Sequence, residues 1–153
     1  MWGTRSVTGV VPKPAGDMFA FVTDVDRLPE WNAIIAEVVE RPGVVQRDAE
    51  WVVRIKAMGT SWASRSRVEE YDVDRRVFSY RSRTDDGNPS YAIWRWQIEA
   101  DTGGASRVTV SWDLHPETFW RRVLFARIRS RRLRREVPAS IDALTRAMDA
   151  PAA

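Results

Sequence analysis

The chain has 153 residues, of which 44% are hydrophobic and 29% are charged, a composition typical of one soluble globular domain. It has no cysteine and one histidine, which excludes thiolate catalysis, disulfide frameworks and zinc sites built from cysteine and histidine, although a site made of carboxylates alone stays open. The net charge is +3 and nearly all of the positive charge is arginine, so the chain can favour anionic partners.

We therefore expect residues 1–150 to form a single domain with neither a metal nor a cofactor, followed by a disordered tail at 151–153. The longest apolar runs are far shorter than the roughly 20 residues that cross a bilayer. Residues 1–10 lack the basic and apolar regions of a signal peptide. These features predict a cytoplasmic protein.

The N-terminal segment predicts a strand followed by two short helices. Polar and apolar residues alternate over 2–11, and a Pro-Lys-Pro sequence ends the strand. Asp17 is expected to cap a short helix that ends near 23–24, and a second helical turn spans 26–31. Two helices this short cannot form a bundle.

Between residues 33 and 115, strand-like runs alternate with turn signals, which predicts an antiparallel meander. Within each run, apolar residues alternate with charged or polar ones, so one face of the sheet is buried and the other is solvated. The inward-facing residues are expected to include Trp51, Val53, Ile55, Ala57, Phe78, Tyr80, Trp94, Trp96, Ile98, Val108, Val110, Trp112 and Leu114.

The run from 62 to 68 departs from this pattern. Its inward-facing residues are Trp62, Ser64, Ser66 and Val68. Two hydroxyl groups are therefore expected on a face that is otherwise apolar.

The last segment, 116–150, predicts one long helix with Pro116 at its start. Residues at spacings of three and four define its inward stripe: Phe119, Val123, Ala126, Ser130, Leu133, Val137, Ile141, Leu144 and Met148. Pro138 is expected to bend the helix without ending it, because the stripe keeps its phase. The side chains of the stripe are small at Ala126 and Ser130, so a helix that packs across an aromatic sheet would leave space for a ligand there.

The segments 21–31, 68–76 and 106–112, in this order of elements, resemble the SRPBCC superfamily. They are most similar to its polyketide cyclase/dehydrase and lipid-transport branch. The resemblance implies an α+β, START-like (helix-grip) fold, in which a curved antiparallel sheet wraps around a long C-terminal helix and two short helices follow the first strand. Members include aromatase/cyclases, lipid carriers, hormone receptors and chaperone co-activators, so the fold leaves the function open.

We predict that a cavity between the sheet and the helix binds a ligand through Trp62, Ser64, Ser66, Phe78, Tyr80, Trp94, Trp96, Trp112, Ala126, Arg127 and Ser130. The rings favour a planar or polycyclic apolar ligand, and Tyr80, Ser64 and Ser66 would orient it by hydrogen bonds. Ordinary core packing is the alternative for each ring. Trp31 is interpreted as a core residue between the short helices and the sheet.

No catalytic residue can be identified from the sequence. Cyclase-like members position a reactive chain in a shaped cavity, which leaves no strict motif. The ionisable candidates are Arg127, Arg134, Glu70 near an expected strand bulge, and Tyr80, with a solvated position as the alternative for each. His115 is interpreted as structural, because no Ser-His-Asp set can be assembled around it.

The helix segment 120–135 carries arginines around most of its circumference, with Trp120, Leu124, Phe125 and Ile128 among them. This mixture is expected of an interfacial helix on an anionic membrane surface, and it is equally compatible with a homodimer contact. A solvated helix is the alternative. No motif supports nucleic-acid binding.

Three hypotheses follow. The leading one is a carrier or sensor that binds a small hydrophobic ligand, aromatic, polyketide-like or lipid-like, in the cavity. The second is a polyketide cyclase or dehydratase, which needs the same cavity but changes its ligand. The third is an interaction module that acts through the arginine-rich helix.

Overall fold

Seven strands form one antiparallel sheet in the order β1-β7-β6-β5-β4-β3-β2. The computed structural model describes residues 4–32, 34–57, 59–84, 90–115 and 137–149. The strands are β1 (Thr4–Val11), β2 (Ile35–Glu40), β3 (Glu50–Ala57), β4 (Thr60–Asp72), β5 (Val77–Thr84), β6 (Tyr91–Ala100) and β7 (Ser106–His115). The helices are α1 (Ala15–Val22), α2 (Leu28–Trp31) and α3 (137–149), with short 3-10 turns at Val25–Arg27 and Thr102–Gly104.

The strand order confirms the predicted meander and the α+β helix-grip fold. Strands β2 to β6 each pair with the next strand along the chain, and β1 pairs with β7. The register places inward-facing residues in rows across the sheet. Ser66 lies opposite Trp51 on one side and Ser82 on the other, and Trp94 lies between Tyr80 and Trp112.

Helix α1 begins three residues earlier than a cap at Asp17 requires, so that prediction is wrong. Pro14 is the N-cap residue, and its carbonyl accepts the first helical hydrogen bond from the Met18 N–H at 3.0 Å. Proline fixes its own φ and has no N–H to satisfy, so it starts a helix without a side-chain cap. Asp17 lies instead in the first turn, where a carboxylate interacts favourably with the helix dipole.

The hydrophobic core lies between the inner face of the sheet and the helices. Helix α1 buries Met18, Phe19, Phe21 and Val22, and the sheet buries Val68, Phe78, Ile98, Val108 and Val110. Helix α3 adds Val137, Ile141 and Leu144, which confirms this part of the predicted stripe. Ile141 of α3 packs over β1 at Gly9, where a Cβ would lie 3.6 Å from it, an ordinary van der Waals distance.

Several sequence predictions lie outside the described residues. They include the helix stripe before residue 137, the arginine-rich segment 120–135 and the tail 151–153. Within the described parts of the chain, no helix is long and apolar enough to span a membrane.

The outer face of the sheet carries ion pairs between neighbouring strands. Glu40, Val52 and Arg65 stand in one row across β2, β3 and β4, and Arg65 donates to Glu40 at 3.2 Å, spanning the strand between them. This explains why Val52 is buried although it alternates out of phase with the core residues of β3. Exposed pairs of this kind add little stability, but they solvate the outer face.

Strand β4 contains the bulge that was expected near Glu70. Val68 lies opposite Tyr80 and Glu70 lies opposite Ser79, so Glu69 is an extra residue. The bulge restores the alternation of faces, because it lets Tyr71 pair with Phe78 on the inner side. Glu70 itself lies on the outer face, within 3.9 Å of Arg95, and is therefore not a residue of the cavity.

Candidate ligand cavity

A cavity of about 100 Å³ lies between the inner face of the sheet, α2 and α3. The described residues that line it come from seven elements and one connection: Leu28, Trp31, Asn32, Ile34, Ile35, Trp51, Val53, Ile55, Ser64, Ser66, Tyr80, Ser82, Trp94, Trp96, Val137 and Ser140. Most of these side chains are aliphatic or indole rings, and none of those in the described lining is charged.

The polar part of the sheet wall is concentrated on two neighbouring strands. We call Ser64, Ser66, Tyr80 and Ser82 the hydroxyl patch; the first two lie on β4 and the other two on β5. Ser66 and Ser82 stand opposite each other in the register, and their Oγ atoms are 2.6 Å apart, within hydrogen-bond distance. The patch therefore forms a small polar area in the middle of an apolar wall.

Tyr80 is held by an indole from the next strand. The Trp96 Nε1–H donates a hydrogen bond to the Tyr80 hydroxyl oxygen at 3.4 Å. Burial raises the pKa of Tyr80 to about 12, although the hydrogen bond from Trp96 acts in the opposite direction. The phenol is therefore neutral at physiological pH and keeps its proton.

Indole rings form the apolar surfaces on both sides of the hydroxyl patch. Trp51 on β3 packs edge-on against Tyr80 with ring centroids 5.1 Å apart. On the other side, Trp31 from α2 meets Trp96 at 5.5 Å in an edge-to-face contact. Contacts of this geometry fix the rings, so the shape of the cavity is largely preformed.

The structure places five of the predicted site residues on the cavity: Ser64, Ser66, Tyr80, Trp94 and Trp96. Their binding of a ligand stays a prediction.

Three predicted residues do not line the cavity. Phe78 and Trp112 are 2% and 1% exposed and belong to the solid core, and Trp62 is half-buried near the start of β4. Alternation gives the face of a strand but not the position along it, which is why these inward-facing rings were included. Ala126, Arg127 and Ser130 lie outside the described residues, as does Arg134.

The sequence reasoning missed several lining residues. The sequence could have identified Trp51 and Ser82, because alternation places each of them on the inner face of its strand, close to a predicted site residue. Trp31 is buried, as its interpretation as a core residue requires, but it also lines the cavity. Asn32 and Ile34 had no periodic signal, because they lie in the connection after α2.

His115 lies away from the cavity, on the outer face near the end of β7. Its Nε2 is 2.9 Å from Asp113 Oδ2, and its ring stacks on Tyr91 with centroids 4.5 Å apart. The Arg81 guanidinium lies over the Tyr91 ring, 4.2 Å from the ring centroid. These contacts hold the end of β7 and supply no group to the cavity lining.

Together, the sheet, the helices and the cavity between them define a helix-grip domain of the START-like class. The model of the family described as polyketide cyclase/dehydrase and lipid transport matches residues 4–149, so the chain belongs to this family. This confirms the resemblance to the SRPBCC superfamily. A comparison with curated proteins found no match.

Solved structures show the same fold at low sequence identity. The aromatase/cyclase ZhuI from a Streptomyces species is 16% identical, with a TM-score of 0.73 over 95% of this chain and 94% of that chain. Ara h 8.0201 is 15% identical, with a TM-score of 0.70 over 97% and 99%. A Thermus thermophilus protein is 14% identical, with a TM-score of 0.71 over 95% and 96%.

Proposed function

We propose that this protein binds a small hydrophobic ligand in the cavity and serves as a carrier or sensor for it. The observation that carries the proposal is the composition of the cavity wall, in which fixed indole rings and aliphatic side chains surround a few hydroxyl groups. Ligand sites in proteins have this character, with apolar walls that supply affinity and few polar groups that fix orientation. Membership of a family that includes lipid transport agrees with it.

The volume of the cavity limits the size of the ligand that it can enclose. Pockets for drug-sized molecules measure about 300–1,000 Å³, and an engineered cavity of about 150 Å³ in another protein holds benzene. A cavity of about 100 Å³ therefore accommodates roughly one ring or a short chain, and the rest of a larger ligand would extend beyond it. The cavity is therefore smaller than the polycyclic ligand that the number of aromatic residues favours.

A cavity-filling substitution tests the proposal. Ser64→Leu adds an apolar side chain at a position that is 5% exposed and lines the cavity, so it should reduce binding of ethylbenzene at least about tenfold in calorimetric titrations. Ser61→Leu, on the exposed side of the same strand, is the matched control and should bind like the wild type. Equal affinity in both variants would show that ethylbenzene binds elsewhere.

Native mass spectrometry of the gently purified protein should be run alongside, to identify any molecule that it retains from the cell. The identity of that molecule then separates a carrier from the second candidate, a cyclase or dehydratase. The family description names both activities. A carrier releases the retained molecule unchanged, whereas an enzyme converts a precursor into it, which chromatography with mass detection distinguishes.

A further inference from the structure

The hydrogen bond between Trp96 and Tyr80 fixes the direction in which the Tyr80 hydroxyl can act. An indole N–H is only a donor, so the Tyr80 oxygen must accept. The O–H proton of Tyr80 has no acceptor among the described residues. Tyr80 therefore presents a hydrogen-bond donor on the wall of the cavity.

The serines of the hydroxyl patch add further donors. Ser64 is 5% exposed and lines the cavity, and its hydroxyl makes no hydrogen bond to any described residue. Ser66 and Ser82 share one hydrogen bond, which uses one of their two protons and leaves the other. These hydroxyl groups line the cavity, so they favour an occupant that can accept hydrogen bonds from them.

We propose that the cavity selects neutral ligands whose buried end carries a carbonyl oxygen, which accepts a hydrogen bond from Tyr80, with Ser66 and Ser82 as the nearest further donors on the wall. The inference rests on the proposed function and names the chemical class of the ligand. A carbonyl oxygen has two lone pairs and can accept from Tyr80 and from a second donor at the same time. The Tyr80 phenol is the donor that is fixed by a neighbour, and it contributes most to this selection.

A matched pair of ligands tests the proposal. Acetophenone and ethylbenzene have the same skeleton and differ by a carbonyl group in place of a methylene group. Their dissociation constants are measured by titration calorimetry with the wild type and with Tyr80→Phe. The substitution should weaken acetophenone about tenfold and leave ethylbenzene nearly unchanged, since one neutral hydrogen bond contributes about this much.

Tyr71→Phe is the control, because it removes the same hydroxyl from a tyrosine that packs against Phe19 and Phe78 and does not line the cavity. It should keep the wild-type ratio of the two dissociation constants. Circular dichroism establishes that each variant is folded before titration.

A spectroscopic measurement reports the hydrogen bond directly. Acetophenone labelled with carbon-13 at the carbonyl should show a downfield shift of that resonance when it binds to the wild type, relative to its position in an apolar solvent. The shift should be smaller with Tyr80→Phe and unchanged with Tyr71→Phe. A shift that is the same in all three proteins would overturn the role of Tyr80.

The outcomes separate this inference from the proposed function. If both ligands bind and Tyr80→Phe does not change their ratio, the cavity binds hydrophobic ligands without selecting a carbonyl, and only the inference fails. If neither ligand binds to the wild type, the proposed function fails and the inference fails with it.

Discussion

Tyr80 shows how the surroundings of one side chain change its chemistry. Its ring packs against Trp51, its oxygen accepts from Trp96, and burial keeps its proton in place. A solvated tyrosine ionises near pH 10, and its hydroxyl can both donate and accept. In this protein the same group stays neutral over a wider range of pH and acts as a donor.

The raised pKa of Tyr80 predicts a loss of stability in alkali. Above about pH 10, the phenol ionises in the unfolded chain but stays protonated in the folded protein until about pH 12. The unfolded state is therefore favoured as the pH rises through this window, whereas the contribution is constant below it. The free energy of unfolding should fall by roughly 2 kcal/mol between about pH 9 and about pH 11.5 from this group alone.

Urea titrations at the two pH values measure this effect. For Tyr80→Phe, the free energy of unfolding should fall by roughly 2 kcal/mol less than for the wild type, since position 80 then has no phenol to ionise. Tyr71→Phe retains Tyr80, so its free energy of unfolding should fall as steeply with pH as that of the wild type. A Tyr80→Phe protein with the wild-type dependence on pH would contradict the assignment.

At the scale of residues, the sequence predicted the chemistry of the cavity better than its outline. Alternation alone placed Ser64 and Ser66 on the inner face, and both lie there at 5% and 3% exposure. It could not separate Trp94, which lines the cavity, from Trp112, which lies opposite it in the solid core. That difference depends on contacts with residues that are distant in the sequence, and such contacts leave no local pattern.

Among the elements, β4 shows how far hydrophobic alternation predicts the path of a strand. The strand order and the turns followed from hydrophobic alternation, because each run needs one buried face. The bulge at Glu69 was expected only approximately, since a change of phase is visible in a sequence but its exact residue depends on pairing with β5. The start of α1 at Ala15 was missed because Pro14 replaces a polar cap.

The bulge predicts opposite outcomes for two deletions in β4. Deleting Glu69 removes the extra residue and keeps both Val68 and Tyr71 on the inner face. Deleting Arg67 instead lets the strand absorb the bulge by turning Val68 outward and Glu69 inward, opposite Tyr80. Burial of an unpaired carboxyl together with loss of a core valine should destabilise the protein by about 3 kcal/mol or more.

Urea unfolding compares the two shortened chains. Deletion of Glu69 should cost about 1 kcal/mol or less, since it loses only an exposed ion pair with Arg81. Similar destabilisation by both deletions would mean that the bulge does not act as a separable insertion.

Over the whole molecule, the many indole rings both build the cavity and limit it. Eight tryptophans are present, and four of them line a space of only about 100 Å³. A ligand that enters this space is in contact with the core from both sides, so its binding should stabilise the entire fold. Binding to the folded state alone shifts the unfolding equilibrium by mass action.

Thermal unfolding measures this linkage. A ligand present at about 100 times its dissociation constant adds about 2.7 kcal/mol, which raises Tm by roughly 5–10 °C for a chain of this size. Acetophenone should produce this rise in the wild type and in Ser61→Leu, but not in Ser64→Leu. An equal rise in all three proteins would place the binding outside the cavity.

The pairing of β1 with β7 bears on how the chain folds during synthesis. The hydroxyls of Thr8 and Thr109, which face each other across these strands, are 101 residues apart in the sequence. Strands β2 to β7 can pair in succession as they leave the ribosome, whereas β1 must wait as an unpaired edge until β7 has been made. The contact order is therefore high at this edge, and closure of β1 onto β7 is expected to be a late step of cotranslational folding.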